Sequence, residues 1–238
     1  MRKWHYQPAR DLGLPPASRA ASLVREPTLF ETVVHHASWE IIREFLLLHQ
    51  HLRVVDAEFM PRSSPFVLVA NHASHLDALV LGSMLPRRFR GEVFALAAAD
   101  TFFATPVLAT LSTFLLNALP LWRDHGARHG LESLRQRLVE DQGCLILFPE
   151  GTRTRTGAMG TFKPGIGVLV AGTEVPVVPC HIRDAFESWP AQSSRPRRGR
   201  ITVRVGPARS YARTPNTRIG WAEVAADLES AVRGLALA

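Results

Sequence analysis

A short, fully apolar run over residues 66–70 most constrains the fold of this chain. It contains two β-branched valines and lacks the alternation of polar and apolar side chains that marks a strand with one wet face. Such a run predicts a strand buried on both faces of a sheet. Apolar residues between Leu76 and Met84 then recur at helical spacing and predict a helix that ends before Pro86. A buried strand followed directly by a helix is typical of α/β proteins.

Other apolar runs continue this succession of short strands and amphipathic helices. Runs that predict strands cover residues 92–97, 118–122, 144–148, 175–182 and 200–205. Runs with apolar positions at helical spacing cover residues 131–140, 165–171 and 221–237. The sequence therefore predicts an α/β domain over residues 61–238, with a mostly parallel or mixed central sheet flanked by helices.

Residues 1–60 predict an N-terminal extension to this domain. Residues 1–27 contain several prolines and arginines and lack the apolar core of a secretory signal, so we expect a loose arm there. Residues 28–52 alternate apolar and charged side chains at helical spacing, which predicts an amphipathic helix. We expect this helix to pack on the domain, although the same pattern suits contact with a bilayer surface.

An uncharged stretch over residues 101–122 is long enough to cross a bilayer. Two prolines and an asparagine interrupt it, which favours a helix over 106–116 followed by the strand at 118–122. We therefore expect a helix that is buried in the domain or dips into one leaflet rather than a transmembrane span.

The chain is strongly basic. It carries 28 lysines and arginines against 21 acidic residues, a net charge of +7, and its isoelectric point is about 10.6. This balance predicts an anionic partner, which would be nucleic acid, an acidic membrane surface or a phosphorylated substrate. The sequence shows no recognisable nucleic-acid-binding motif, and its aromatic residues lie in apolar runs, so we expect lipid or a phosphorylated substrate rather than nucleic acid.

The strand at 66–70 is followed closely by a histidine and, five residues later, by an aspartate. A turn between strand and helix can bring the Asp77 carboxylate to one imidazole nitrogen of His72, which leaves the other nitrogen as a base. Ser74 has the position of a helix N-cap, so a substrate hydroxyl or amine is the more natural proton donor. Two alternatives remain: Asp77 only caps the helix, or His72, His75 and Asp77 bind a metal.

A second polar turn follows the strand predicted at 144–148. It places a carboxylate, a glycine, a hydroxyl and a guanidinium in consecutive positions, namely Glu150, Gly151, Thr152 and Arg153. Arg153 and the backbone N–H groups near Gly151 would hold a phosphate. Lys163 and the N-terminus of the helix at 165–171 would favour the same anion. The alternative is a solvated polar turn.

Arg123 closes the strand predicted at 118–122. In a parallel sheet it would lie at the same edge as His72. Ligands of open α/β sheets gather at that edge, beyond the carboxyl ends of the strands, so Arg123 is a further candidate for an anionic ligand.

Four blocks of the sequence together resemble the glycerolipid acyltransferase family typified by lysophosphatidate acyltransferase. They are Asn71-His-Ala-Ser-His-Leu-Asp77, Leu121-Trp-Arg123, Phe148-Pro-Glu-Gly-Thr-Arg153 and Val175-Pro-Val-Val-Pro179. They stand in family order, and the resemblance covers about residues 65–206. The second block departs from the family pattern, in which an aromatic or aliphatic residue followed by Ile-Asp-Arg is usual.

The resemblance implies a role for each block. His72 would be the general base that deprotonates the acceptor hydroxyl, and Asp77 would orient it. Arg123 and the turn at 150–153 would bind the glycerol-phosphate acceptor, while Pro179 belongs to a block of structural or acyl-donor function. The family fold is an α/β sheet flanked by helices, with a hydrophobic tunnel for the acyl chain.

The implied reaction transfers an acyl group directly from acyl-CoA or acyl carrier protein to a lysolipid hydroxyl, without a cofactor or metal. Lysophosphatidate (1-acyl-glycerol-3-phosphate) is the default acceptor, and lyso-ornithine lipid is an alternative. A hydrolase and a non-catalytic basic lipid-binding protein remain as other classes.

Cys144 and Cys180 lie in apolar runs and predict buried thiols in a reducing cytosol. The resemblance, together with the charged side chains of the helix at 28–52, implies a peripheral or monotopic enzyme on the cytoplasmic face of the cell membrane.

Overall fold

The computed structural model describes residues 29–89, 93–98, 119–121 and 127–237, together with Gly13. These residues form one seven-stranded sheet with helices on both faces. The strands are β1 Arg53–Val55, β2 Phe66–Ala70, β3 Val93–Ala98, β4 Leu119–Leu121, β5 Cys144–Leu147, β6 Val177–Arg183 and β7 Thr202–Val205. The helices are α1 Leu29–His49, α2 Asp77–Met84, α3 Ala127–Val139, α4 Gly165–Val170, α5 Ala185–Ser188 and α6 Arg218–Leu237, with 3₁₀ turns at Ala57–Phe59 and Arg87–Phe89.

The sheet is mixed and mostly parallel, as predicted. Its strand order is β1-β7-β6-β2-β5-β3-β4, and β2 pairs parallel to both β5 and β6. Leu68 at the centre of β2 lies opposite Ile146 and Val178. Among the described strands, only β6 and β7 pair antiparallel. Because β2 and β5 are adjacent and parallel, the turns that follow them emerge side by side at one edge of the sheet.

Strand β2 occupies a central position because it has no polar face. All five of its side chains are fully buried, and alternate ones enter two separate hydrophobic layers. Leu68 belongs to the layer that α1 and α2 cover, and Val69 belongs to the layer that α3, α4 and α6 cover. Burial of such a side chain stabilises the fold by about 1.5–3 kcal/mol. The prediction of a strand buried on both faces is confirmed.

Several element bounds differ from the predicted ones by a few residues. Helix α3 begins at Ala127 rather than at residue 131, and α6 begins at Arg218 rather than at residue 221. The sequence does not predict β1, which has only three residues and pairs parallel to β7. Such a short strand carries too few side chains for a period to be read from them. Its place depends on the partner strand.

Some predicted features lie outside the described residues. These are the arm at 1–27, the helix at 106–116 and Arg123. Among the helices that the structure describes, none is both long and apolar enough to span a bilayer.

Helix α1 packs against α2 through close contact between Trp39 and Gly82. The Trp39 side chain is buried, and a Cβ added at Gly82 would overlap its indole ring. Leu46, one turn before the end of α1, is fully buried in the layer beneath. The predicted packing of the amphipathic helix on the domain is confirmed. The same contact supports α2, whose first residue is Asp77.

We expect Gly82→Ala to lower the free energy of unfolding by about 1–3 kcal/mol, because the added methyl group overpacks the junction of α1 and α2. Chemical denaturation of the purified protein measures this change. Gly234→Ala is the matched control, since Gly234 is a helical glycine whose added Cβ would meet nothing within 4 Å. Alanine there should leave stability unchanged or raise it by up to about 1 kcal/mol. Equal stabilities of the two variants would contradict the packing assignment.

Candidate active site

The turns after β2 and β5 meet at one edge of the sheet and are joined by backbone contacts. The Thr154 N–H donates to the carbonyl of His72 at 2.9 Å. Asn71 joins the turn after β2 to β6, the neighbour of β2 on its other side. Its side-chain amide donates to the Ile182 carbonyl at 2.9 Å and accepts from the Ile182 N–H at 2.8 Å. The position of His72 is therefore determined by three strands.

The His72 imidazole and the Asp77 carboxylate form the predicted pair. Nδ1 of His72 lies 2.8 Å from Oδ2 of Asp77, which is completely buried. A carboxylate at this nitrogen favours the tautomer with a proton on Nδ1, so Nε2 carries the lone pair. Within the described residues, Nε2 has no hydrogen-bond partner. The imidazole stacks on the Phe148 ring at 4.1 Å, and one fifth of the side chain is exposed. This geometry suits a general base.

Asp77 also organises the turn itself. Its Oδ2 accepts hydrogen bonds from the N–H groups of Ala73 and Ser74, each at 2.7 Å. The N-cap assignment of Ser74 is wrong, because helix α2 begins at Asp77 with Leu76 in the cap position. The Ser74 hydroxyl instead donates to the Trp189 carbonyl at 2.9 Å and accepts from the Leu76 N–H at 3.1 Å. One carboxylate oxygen thus binds the backbone of the turn and orients the histidine.

Glu150 is buried behind the histidine and binds backbone donors with both carboxylate oxygens. Oε1 accepts from the His72 N–H, and Oε2 accepts from the Gly160 N–H, each at 2.7 Å. Burial raises the pKa of Glu150, while these two hydrogen bonds lower it in part. The sequence also predicts Glu150 among the acceptor-binding residues, and that role stays a prediction. In the structure, Glu150 joins the turn after β2 to the turn after β5 through these two hydrogen bonds.

Gly151 and Lys163 lie together on the second turn. Gly151 has a φ of +73°, which favours glycine, and a Cβ added there would lie 2.9 Å from Nζ of Lys163. The backbone N–H of Lys163 donates to the Pro149 carbonyl at 2.9 Å. Lys163 and Thr152 are both exposed, so the structure brings an ammonium and a hydroxyl to the surface of this turn.

Arg153 lies on the same turn and contacts the ring of His75. Its Nη1 is 2.9 Å from Nε2 of His75 and also contacts Nδ1 of that ring. From the sequence, His75 is a candidate only as a metal ligand, and its contact with Arg153 is not predictable because the two residues are 78 positions apart. In the described part of the chain, no three or more His, Cys, Asp or Glu side chains are grouped as metal ligands.

The site therefore combines a carboxylate-oriented imidazole with two cationic side chains, Arg153 and Lys163, on the neighbouring turn. Such a set can remove a proton from one part of a substrate while it holds an anionic group in another part. The fold and the site define an α/β protein with a paired histidine and aspartate at the carboxyl edge of its sheet.

Comparison with known sequences identifies the family of this chain. The sequence model of the acyltransferase family matches residues 51–183, so the chain belongs to the acyltransferase family. The predicted family resemblance is confirmed.

Two similar proteins share the name 1-acyl-sn-glycerol-3-phosphate acyltransferase. The 1-acyl-sn-glycerol-3-phosphate acyltransferase alpha of Ovis aries is 30% identical over 175 residues, which cover 71% of this chain and 59% of that protein. A chloroplastic 1-acyl-sn-glycerol-3-phosphate acyltransferase of Brassica napus is 32% identical over 139 residues, covering 57% and 38% of the two chains. This chain thus spans about three fifths of the length of the sheep relative.

A solved structure shows the same fold. The crystal structure of the 1-acyl-sn-glycerophosphate acyltransferase of Thermotoga maritima matches with a TM-score of 0.64 and covers 86% of this chain and 78% of that one. The sequence identity is 20%, so this likeness establishes the fold.

Proposed function

We propose that this protein is an O-acyltransferase that moves a fatty acyl group from an acyl thioester to the hydroxyl of a lysophospholipid. The observation that carries the proposal is the 2.8 Å pair of His72 and Asp77 at the carboxyl edge of the sheet. The names of the relatives support 1-acyl-glycerol-3-phosphate as the acceptor. Acyl-CoA or acyl carrier protein serves as the donor, and no further cofactor takes part.

The reaction proceeds by direct transfer. The acceptor hydroxyl gives its proton to Nε2 of His72 while its oxygen forms a bond to the thioester carbonyl carbon. Asp77 stabilises the imidazolium that results. The carbon–sulfur bond then breaks, and the leaving thiolate takes the proton from His72. The products are the doubly acylated lipid and a free thiol.

An acyl-enzyme is not needed, because a substrate hydroxyl can attack the thioester directly, and the Ser74 hydroxyl and the two cysteine thiols are unsuited to this role. The Ser74 hydroxyl is buried and donates to a backbone carbonyl. Cys144 and Cys180 are buried within strands, and burial raises the pKa of Cys180 to about 12. A thiol in that state is a poor nucleophile. The substrate hydroxyl is therefore the attacking group.

Arg153 binds the phosphate of the acceptor in this proposal. Arg153→Ala is expected to raise the KM for 1-acyl-glycerol-3-phosphate about tenfold, because a charge-assisted hydrogen bond to phosphate is lost. The KM for acyl-CoA should change little. Steady-state kinetics with each substrate varied in turn measure both values.

Arg155→Ala is the matched control for Arg153→Ala. Arg155 is an exposed arginine two positions further along the same turn, so its removal should leave both KM values within about twofold. Equal effects of Arg153→Ala on donor and acceptor would count against the phosphate assignment. Arg123 and Lys163 are proposed to add positive charge to the same subsite.

We also propose that the protein works at the cytoplasmic face of a membrane. Helix α1 buries Trp39 and Leu46 but exposes Val33, Ile41 and Leu48 by 60%, 72% and 69%. An exposed apolar stripe on a helix of a basic protein suits contact with an anionic bilayer surface.

One assay tests the proposed function as a whole. Purified protein is mixed with labelled acyl-CoA and a panel of lysolipids that includes 1-acyl-glycerol-3-phosphate and lyso-ornithine lipid, and the products are identified by mass spectrometry. Formation of the doubly acylated phospholipid is the expected result. Free fatty acid in the absence of any lysolipid would indicate a hydrolase. Binding to anionic liposomes without thioester turnover would indicate a lipid-binding protein.

A further inference from the structure

His75 lies in the turn between His72 and Asp77 but has no part in the proton transfer described above. Its ring contacts the guanidinium of Arg153, with Nη1 at 2.9 Å from Nε2. This contact joins the turn after β2 to the turn after β5 through side chains. It is additional to the backbone hydrogen bond between Thr154 and His72.

The loop after α5 holds His75 from the other side. The His75 N–H donates to the Trp189 carbonyl at 3.1 Å, and the two rings lie 5.0 Å apart at an angle of 44°. The Trp189 indole N–H in turn donates to the Ser193 carbonyl at 3.0 Å. These contacts with the loop after α5 therefore hold the imidazole of His75 in position independently of Arg153.

We propose that His75 is a positioning residue that holds the Arg153 guanidinium in place to bind the acceptor phosphate. This role rests on the proposed function. An arginine side chain has several rotatable bonds, and a fixed acceptor on one side reduces the conformational freedom that phosphate binding would otherwise have to remove. A planar guanidinium has more than one donor edge, so contact with an imidazole is compatible with contact to a phosphate.

This role requires a neutral imidazole, because an imidazolium donates from both nitrogens and cannot accept a hydrogen bond from a guanidinium. Burial lowers the pKa of His75, and the positive charge of Arg153 lowers it further. The backbone of Ala191 raises it through a hydrogen bond, His72 lowers it, and Asp77 raises it. Together these effects lower the pKa of His75 below its ordinary value of 6.5, so the imidazole is neutral at pH 7.

Acceptor binding should weaken at acid pH. As the pH falls through the lowered pKa, His75 gains a proton and repels Arg153, so acceptor binding weakens. Above that pH the contact is intact. The charged groups that face the imidazole are Arg153 from the second turn and His72 and Asp77 from its own turn, while the loop after α5 contributes the backbone of Ala191.

Two substitutions test the proposal by steady-state kinetics with 1-acyl-glycerol-3-phosphate and acyl-CoA. His75→Phe keeps an aromatic ring beside Trp189 but removes the acceptor, and we expect the acceptor KM to rise about tenfold with an unchanged donor KM. His75→Gln keeps an acceptor that does not titrate, and we expect an acceptor KM within about twofold of the wild type at pH 7. As the pH falls through the lowered pKa of His75, the wild-type acceptor KM should rise more steeply than that of His75→Gln.

His51→Phe is the matched control. His51 is an exposed histidine that also contacts an arginine, with Nε2 at 3.3 Å from Nη2 of Arg198, and it precedes β1, three strands away from β2. Its substitution should leave both KM values unchanged. Circular dichroism and thermal unfolding show whether each variant is folded.

The outcomes separate the positioning role from the proposed function. Absence of acyl transfer by the wild-type protein would overturn the proposed function and this inference with it. Normal wild-type transfer with an unchanged acceptor KM in folded His75→Phe would overturn the positioning role alone. Should His75→Phe not fold, the pH comparison decides, since an acid rise in acceptor KM that is equally steep in His75→Gln would also overturn that role.

Discussion

His72→Ala is expected to lower kcat for acyl transfer by about a hundredfold or more, because no other group takes the proton from the attacking hydroxyl. The side chain is one-fifth exposed and its contacts are the Asp77 carboxylate and the Phe148 ring, so the fold should remain. Transfer of labelled acyl groups to 1-acyl-glycerol-3-phosphate measures the loss. Circular dichroism measures the fold.

His36→Ala is the control for His72→Ala. His36 lies on α1, where its Nδ1 is 2.8 Å from the carbonyl of Thr32 within the same helix. The substitution should leave kcat unchanged, since this ring is not part of the site. Near-normal transfer by His72→Ala, in a folded protein, would remove His72 from the mechanism.

Asp77→Asn is expected to lower kcat by about a hundredfold and the free energy of unfolding by about 1–3 kcal/mol. The N–H groups of Ala73 and Ser74 both donate to Oδ2, so an asparagine would keep its amide oxygen at that position. His72 would then retain its tautomer but lose the negative charge that stabilises the imidazolium. The amide nitrogen would take the place of Oδ1, which is buried and has no hydrogen-bond partner among the described residues.

Chemical denaturation and acyl-transfer kinetics check the two parts of this prediction. Asp56→Asn is the matched control, because Asp56 is partly exposed and pairs with Arg204 at 3.4 Å away from the site. That control should change stability by less than about 1 kcal/mol and leave kcat unaltered. A loss of about 10⁴-fold in Asp77→Asn would instead indicate a reversed amide and the wrong histidine tautomer. Unchanged activity would contradict the role of Asp77.

The parts of the fold that were predicted correctly depend on local information. The run at 66–70 is short, contains two β-branched residues and is apolar at every position, which favours a strand with two buried faces, and its side chains are fully buried in the structure. The pair of His72 and Asp77 was predictable for a similar reason. The two residues are five positions apart in a single turn, and a turn of that length leaves few arrangements for them.

The parts that were missed or placed differently depend on contacts between distant segments. Glu150 binds the backbone of His72, and Arg153 contacts His75, across 78 positions in each case. No spacing rule connects residues so far apart. Strand β1 was missed because three residues carry no readable period, and its backbone hydrogen bonds become favourable only beside β7.

The sequence by itself determined the fold class and the chemical groups of the site, because the spacing of apolar residues and the residue types are properties of short segments. Only the tertiary structure determines which of those groups are available to a substrate and which hold the two turns in place. The parallel pairing of β2 with β5 brings two polar turns together, and only then do Glu150 and His75 acquire the partners that define their roles. The physical reason is that a buried or half-buried polar group must find a partner, and which partner is near depends on the whole sheet.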